Sequence, residues 1–306
     1  MQFAIAIPQF VAEGAFDGPG LRRFLARAEA LGFESGWTME QVLSSMPGLG
    51  PMETMTYAAA CTERLRLGCS VFVTTLHSPV HLAKSISSLD HLSGGRLEVG
   101  VGTGGRYRMF AAFGVDPDDV APRFTEGLEL MKALWTQPRV SFTGRFWQVD
   151  GAAQEPKPVQ KPHPPIWFGG SRPVALRRAA RLGDGFFGAG TSTTARFADQ
   201  VRLVRDVLDQ DGRDAGPFRI AKRIYITVDD DAGRARRRMD AGLDRLYASF
   251  GFGDLSAAAV AGTPDDCVLG LGAVKDAGAE LILLNPLFDD HEQMERLALE
   301  VVPHLS

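Results

Sequence analysis

The chain has 306 residues, of which 45% are hydrophobic and 23% charged, the composition of an ordinary globular protein. The net charge of −4 and the lack of a basic block argue against a protein that binds nucleic acid or an anionic membrane. No apolar run reaches the roughly 20 residues that a membrane-spanning helix needs. The first residues lack the basic leader and the long apolar stretch of a signal peptide, so we expect none.

The cysteines give little sign of a metal site or a disulfide framework. Cys61, Cys69 and Cys267 have no metal-type spacing, and we expect reduced core thiols in a cytoplasmic protein. His77 and His81 are four residues apart, but Pro79 lies between them and no third ligand is evident. We therefore expect no metal.

Short apolar segments alternate with amphipathic ones along most of the chain. The predicted strands are, in order, 3–8, 35–39, 65–74, 97–101, 166–168, 186–188, 218–228 and 280–285. The predicted helices are 21–31, 54–62, one that runs from Pro79 to Gly94, 125–135, one that begins at Pro173, 194–211, 232–250, 263–277 and 292–305. Between them, 140–165 is predicted to be a short hairpin followed by a proline-rich extended return.

Eight strands in alternation with helices predict a closed (β/α)8 TIM barrel, with insertions after the fourth and seventh strands. No linker divides the chain, so we expect 1–306 to be a single domain. In such a barrel the active site lies at the carboxyl ends of the strands. The loops there should therefore carry the functional residues.

The segment 162–185 has the pattern of a strand, a glycine turn and a helix. Gly169 and Gly170 end the apolar run, Pro173 suits a first helical turn, and Gly183 is predicted to end the helix in a left-handed conformation. Bare N–H groups at a helix start suit a phosphate, but a plain tight turn also uses glycine. The position late in the barrel favours the phosphate interpretation.

Four motifs together resemble the bacterial-luciferase-like oxidoreductases. They are LDHLSGGRL at 89–97, GVGTG at 100–104, TERLRLG at 62–68, and the segment from KPVQKP at 157–162 to GDG at 183–185. Members of that family are (β/α)8 barrels that use FMN or the deazaflavin coenzyme F420. The sequence is closer to the F420-dependent branch, so the resemblance implies F420, with FMN as the alternative.

The resemblance also implies where the cofactor binds. The phosphate would be held by Gly169, Gly170 and Ser171, with help from Gly190 and Thr191. The ring system would lie near the ends of the second, third and fourth strands, against Glu40, Ser70, Val71, Thr74, Gly102, Thr103 and Gly104. Many relatives have a non-proline cis peptide in the third strand, which would fall near Ser70–Val71.

Two departures bear on the chemistry. Many relatives end the second strand in an Asp-His pair, where this chain has Glu40-Gln41, and sugar-phosphate dehydrogenases of the branch carry an acid where this chain has Gly105. His77 follows the third strand and is a candidate proton donor or a polar loop residue. Glu40 can act as an acid, bind the ring's polar edge or be a solvated carboxylate. Trp147 of the hairpin can roof the pocket or pack on the barrel flank.

These features predict an oxidoreductase that transfers a hydride between reduced F420 and a small organic substrate. The alternatives are an FMN-dependent monooxygenase and a cofactor-binding protein without turnover. We expect a homodimer whose partner is a small molecule, with no nucleic acid and no membrane involved.

Overall fold

Eight parallel strands alternate with helices, close to the predicted positions. The computed structural model describes residues 1–11, 15–44, 46–104, 110–247, 251 and 254–305. The strands are β1 Gln2–Ala6, β2 Ser35–Thr38, β3 Arg66–Val73, β4 Leu97–Gly102, β5 Val140–Thr143, β6 Gln148–Ala152, β7 Ile166–Gly169, β8 Gly185–Gly188, β9 Arg219–Val228, β10 Val260–Gly262 and β11 Leu281–Asn285. The helices are α1 Gly18–Ala30, α2 Pro51–Cys61, α3 Pro79–Leu92, α4 Val120–Thr136, α5 Pro173–Leu182, α6 Thr194–Gln210, α7 Ala232–Tyr247, α8 Pro264–Asp276 and α9 Asp290–Arg296.

The strand order confirms the (β/α)8 barrel prediction. It runs β9-β11-β1-β2-β3-β4-β7-β8, and β8 also pairs with β9, so the ring of hydrogen-bonded strands closes. The register between strands is parallel, as in Ile5 opposite Leu284 and Phe187 opposite Ala221. β10 adds to β9 outside this ring, while β5 and β6 form the predicted antiparallel hairpin.

The chain divides into two compact units. Unit 1 comprises 1–8, 17–37 and 168–306, and unit 2 comprises 9–16 and 38–167. Each unit has a core of strand residues, with Trp37 against Phe187 in unit 1 and Leu67 opposite Leu97 in unit 2. The single domain over 1–306 stays a prediction. Within the described ranges, no helix is both long and apolar enough to cross a bilayer.

Two predictions about helix ends were wrong, one on the conformation of Gly183 and one on where α4 begins. Gly183 does not take a left-handed conformation, because its φ is −97°. Glycine is needed there for close packing, since a Cβ would lie 2.6 Å from Cδ2 of Phe168. α4 begins five residues before its predicted start, because Pro122 lies in the first turn, where a missing N–H costs nothing.

The family motifs stabilise the turns around β3 and β4. Arg96 donates to the carbonyl oxygens of Ala59 and Thr62 at the end of α2, and to those of Leu65 and Ser93. α2 has no left-handed glycine after it, so its last carbonyls depend on such donors. Arg96 therefore acts as the C-terminal cap of α2.

We expect Arg96→Met to lower the free energy of unfolding by about 3 kcal/mol, because several partly buried carbonyl groups lose their donor. Urea denaturation followed by circular dichroism would measure it. Arg245→Met, at an exposed position of α7, is the matched control. A loss of the same size in both variants would refute the capping role.

Candidate active site

The predicted site residues divide between the two units. Glu40, Ser70, Val71, Thr74, His77 and 102–104 belong to unit 2, whereas 169–171, 190 and 191 belong to unit 1. Gly105, the position of the missing acid, lies outside the described residues.

Glu40 and His77 form a hydrogen-bonded pair in unit 2. Oε1 of Glu40 is 2.7 Å from Nε2 of His77, and Oε2 accepts the backbone N–H of Val73 at 2.6 Å. The Glu40 side chain is 3% exposed and that of His77 is 30% exposed. A carboxylate only accepts hydrogen bonds, so opposite an ionised Glu40 the donor is Nε2–H of His77, and Nδ1 is the ring nitrogen not used in this pair.

Local backbone contacts fix this pair in place. The buried Gln9 side chain clamps Met39, donating to its carbonyl oxygen at 2.7 Å and accepting from its N–H at 2.8 Å. Glu40 follows directly after that clamp. His77 follows the one-turn 3-10 helix Thr74–Leu76 and donates its N–H to Thr74 O at 3.2 Å. Each side chain therefore directly follows a hydrogen-bonded backbone segment.

The third strand contains the cis peptide that the family resemblance implied, between Ser70 and Val71. The pairing of β3 with β4 shifts register between Cys69 and Phe72. Val71 packs on the glycines of β4, because a Cβ on Gly102 would lie 2.6 Å from Cγ2 of Val71. Gly104 leaves room for Val73 in the same way.

Two polar atoms near the strand ends have no hydrogen-bond partner among the described residues. They are Oε1 of Gln41 and Oγ1 of Thr74, both buried. Buried polar atoms are nearly always satisfied, so such atoms indicate a place for a ligand or water. Thr103 is tied to the same segment, since its carbonyl oxygen accepts from Oγ1 of Thr75, the residue after Thr74, at 3.3 Å.

In unit 1, the glycine turn after β7 leads into a helix that has no side-chain cap. Arg172 occupies the N-cap position of α5 and makes no capping hydrogen bond. By contrast, α1, α3, α6 and α8 are capped by Asp17, Ser78, Thr193 and Thr263. Because Ser171 and Arg172 are exposed, the start of α5 is accessible to an anion.

The second glycine loop of unit 1 is held by a buried lysine that we did not single out from the sequence. Lys222 on β9 is fully buried, and its Nζ donates to Ala189 O at 2.6 Å and Arg223 O at 2.8 Å. Ala189 directly precedes Gly190 and Thr191. Burial, with a smaller effect of the Arg223 charge, lowers the pKa of Lys222 to about 7. The sequence feature that could have revealed this role is a lysine in the middle of an otherwise apolar predicted strand.

This lysine predicts a pH-dependent stability. Its pKa is near 7 in the folded chain and about 10.5 when unfolded, so folding releases a proton in that window and stability rises with pH. Relative to Lys222→Met, the wild type should gain about 2–3 kcal/mol of unfolding free energy between pH 6 and pH 9. Urea denaturation at each pH measures the difference. A pH-independent difference would contradict the assignment.

The described cysteines form no disulfide. Cys61, Cys69 and Cys267 are free, and burial raises the pKa of Cys267 to about 12, which makes this thiol unreactive. Within the described ranges, no group of three or more histidine, cysteine or acidic side chains is arranged to hold a metal ion.

Comparison with known proteins relates this chain to flavin and deazaflavin enzymes. An uncharacterized protein of Mycobacterium tuberculosis is 38% identical over 188 residues, 60% of this chain and 64% of the relative. An F420-dependent glucose-6-phosphate dehydrogenase of Intrasporangium calvum is 31% identical over 220 residues, 68% of this chain and 65% of the relative. An FMNH2-dependent dimethylsulfone monooxygenase of Pseudomonas putida is 28% identical over 221 residues, 70% and 60% of the two chains.

The chain thus spans less than two thirds of the length of each of these curated relatives. Among solved structures, an F420-dependent secondary alcohol dehydrogenase in complex with an F420-acetone adduct has a TM-score of 0.86 and 19% identity, covering 100% of this chain and 99% of that one. This similarity supports the barrel fold. The profile of the luciferase-like monooxygenase family matches residues 1–260. The chain therefore belongs to the luciferase-like monooxygenase family.

Proposed function

We propose that this protein is an oxidoreductase that transfers a hydride between reduced F420 and a small organic substrate with a polarised double bond. The relative from Intrasporangium calvum, named an F420-dependent dehydrogenase, supports this cofactor. The observation that carries the proposal is the pair formed by Glu40 and His77 at the ends of β2 and β3. In a (β/α)8 barrel the carboxyl ends of the strands carry the chemistry.

The residues present suit a phosphorylated deazaflavin. Gly170 and Ser171 lie before a helix start that has exposed residues and no side-chain cap, which fits a phosphate group. When bound, F420 supplies the hydride, and because its ring has carbon in place of the reactive flavin nitrogen it reacts poorly with oxygen. The protein's part is to bind, to orient and to exchange protons.

His77 is the proposed proton donor. A hydride added to one atom of the double bond leaves a pair of electrons on its neighbour, which must take up a proton. Nδ1 of His77 would deliver that proton, while Nε2–H stays bonded to Glu40. The buried carboxylate fixes the ring and stabilises the imidazolium, so Glu40 is a positioning residue. In the reverse reaction His77 accepts the proton.

We expect His77→Asn to lower turnover at least tenfold while cofactor affinity changes less than twofold, since a placed general acid contributes about 10²–10⁴-fold. Oxidation of reduced F420 is followed by absorbance, with the acceptor that performs best in a panel of ketones, imines and enones. Glu40→Gln should lower turnover as well, because a neutral amide stabilises the imidazolium less.

His81→Asn is the matched control, since His81 lies one turn inside α3. Unchanged turnover in His77→Asn, together with a large loss in Glu40→Gln, would move the acid role to Glu40.

The phosphate position is tested by charge alone. Ser171→Asp adds a negative charge at the exposed turn and should raise the cofactor dissociation constant at least tenfold. Ser171→Asn is the matched control, because asparagine has nearly the shape of aspartate without its charge, and it should change the constant less than threefold. Fluorescence titration with F420 measures both. A valine at Gly170 is a poorer test, because its Cβ would lie 2.8 Å from that of Ala175. An unchanged constant for Ser171→Asp would place the phosphate elsewhere.

An FMN-dependent monooxygenase is the second candidate, favoured by the relative from Pseudomonas putida. Oxygen consumption that requires both reduced FMN and an organic substrate would establish it. A binding protein without turnover is the third, because Glu40-Gln41 replaces the pair common in relatives; it would bind cofactor without any substrate-dependent spectral change. A cytoplasmic location and a homodimer are further parts of the proposal.

A further inference from the structure

A small cavity lies beside His77 within unit 2. Its volume is about 10 Å³, close to the room that one water-sized atom needs. The residues around it come from the segment after β3, from α4 and from the β5–β6 hairpin, and they include Thr74, His77, Pro79, Arg123, Gly127 and Trp147.

Three of these residues have buried polar atoms without a hydrogen-bond partner among the described residues. They are Oγ1 of Thr74, Nε of Arg123 and Nε1 of Trp147. The Arg123 and Trp147 atoms are donors only, and the threonine hydroxyl can also donate. Since buried donors are nearly always satisfied, these three atoms point to an acceptor in the cavity that their residues line.

The guanidinium of Arg123 also bears on what the cavity can hold. In the described part of the chain, no carboxylate forms an ion pair with it, and its guanidinium lies over the rings of Trp147 and Phe146 at 4.5 and 5.8 Å. A ring face attracts the cation but does not neutralise it. A water molecule in the cavity would accept hydrogen bonds from the donors but would not neutralise the positive charge of Arg123. An anion would do both.

Gly127 keeps the cavity open. A Cβ at this position would lie 3.7 Å from Cβ of Pro79 and 3.8 Å from Nε1 of Trp147, both ordinary contacts. Sterics therefore permit alanine, which favours a helix interior far more than glycine does. The glycine instead leaves open the space that a methyl group would fill 3.8 Å from the indole nitrogen.

The wall opposite α4 is held firmly. The carboxylate of Glu126 on α4 accepts the backbone N–H groups of Arg145, Phe146 and Trp147 at 3.0, 2.9 and 2.9 Å. These bonds fix the hairpin turn against the helix, so the position of Trp147 is defined by the fold. Trp147 thus lines a cavity next to His77.

We propose that this cavity binds one atom of a small monovalent anion, either a halide ion or one oxygen of an organic carboxylate. A carboxylate oxygen held there would bring the rest of the organic acid next to His77. The site goes beyond the proposed oxidoreductase activity and does not depend on it.

The test is thermal unfolding of the full chain with increasing sodium chloride or sodium formate, at ionic strength kept constant with sodium sulfate. We expect one or both anions to raise Tm saturably by about 1–3 °C. Arg123→Gln and Gly127→Ala should lose the response, the first by removing the charge and the second by filling the space. Arg245→Gln, an exposed arginine on α7, should retain it.

A response to chloride alone assigns the site to a free halide, and a response to formate alone assigns it to a carboxylate. No saturable response to either anion would overturn the proposal, and so would a full response in Gly127→Ala. Should Arg123→Gln not fold, the alanine variant decides alone, because its added methyl makes only ordinary contacts.

Discussion

The buried carboxylate of Glu40 is the charge on which the proposed chemistry depends. Removing a carboxylate from water costs several kcal/mol unless it is paired and hydrogen-bonded, and here one oxygen bonds to a backbone N–H and the other to His77. This arrangement joins the end of β2 to the end of β3. It also leaves the more exposed partner, the imidazole, as the group able to exchange protons.

The motifs that mark the family are mostly architectural. Asp90 is fully buried and accepts from the backbone N–H and the side-chain amide of Gln160 at 2.9 and 2.8 Å, which ties the proline-rich return to α3. Arg96 caps α2 in the same unit. These residues hold the barrel strands in place, while the candidate proton donor lies outside the motifs. Family membership therefore identifies the scaffold more securely than the substrate.

The fold followed from the sequence because apolar strands and amphipathic helices leave a clear periodicity. The left-handed conformation expected at Gly183 was wrong, because glycine also serves close packing, a demand made by Phe168 from a different element. The pairing of Glu40 with His77 joins positions 37 residues apart, and no local pattern encodes such a contact. The roles of Lys222 and Arg123 could not be predicted from the sequence for the same reason. They depend on how deeply each side chain is buried and on which atoms surround it in the fold.

The most direct measurement is an equilibrium titration of the purified protein with F420 and, separately, with FMN, followed by fluorescence. Saturable binding of F420, tighter than that of FMN, is the predicted result, because the proposed hydride chemistry requires the deazaflavin at this site. Binding of FMN alone, or of neither cofactor, would contradict the proposed function.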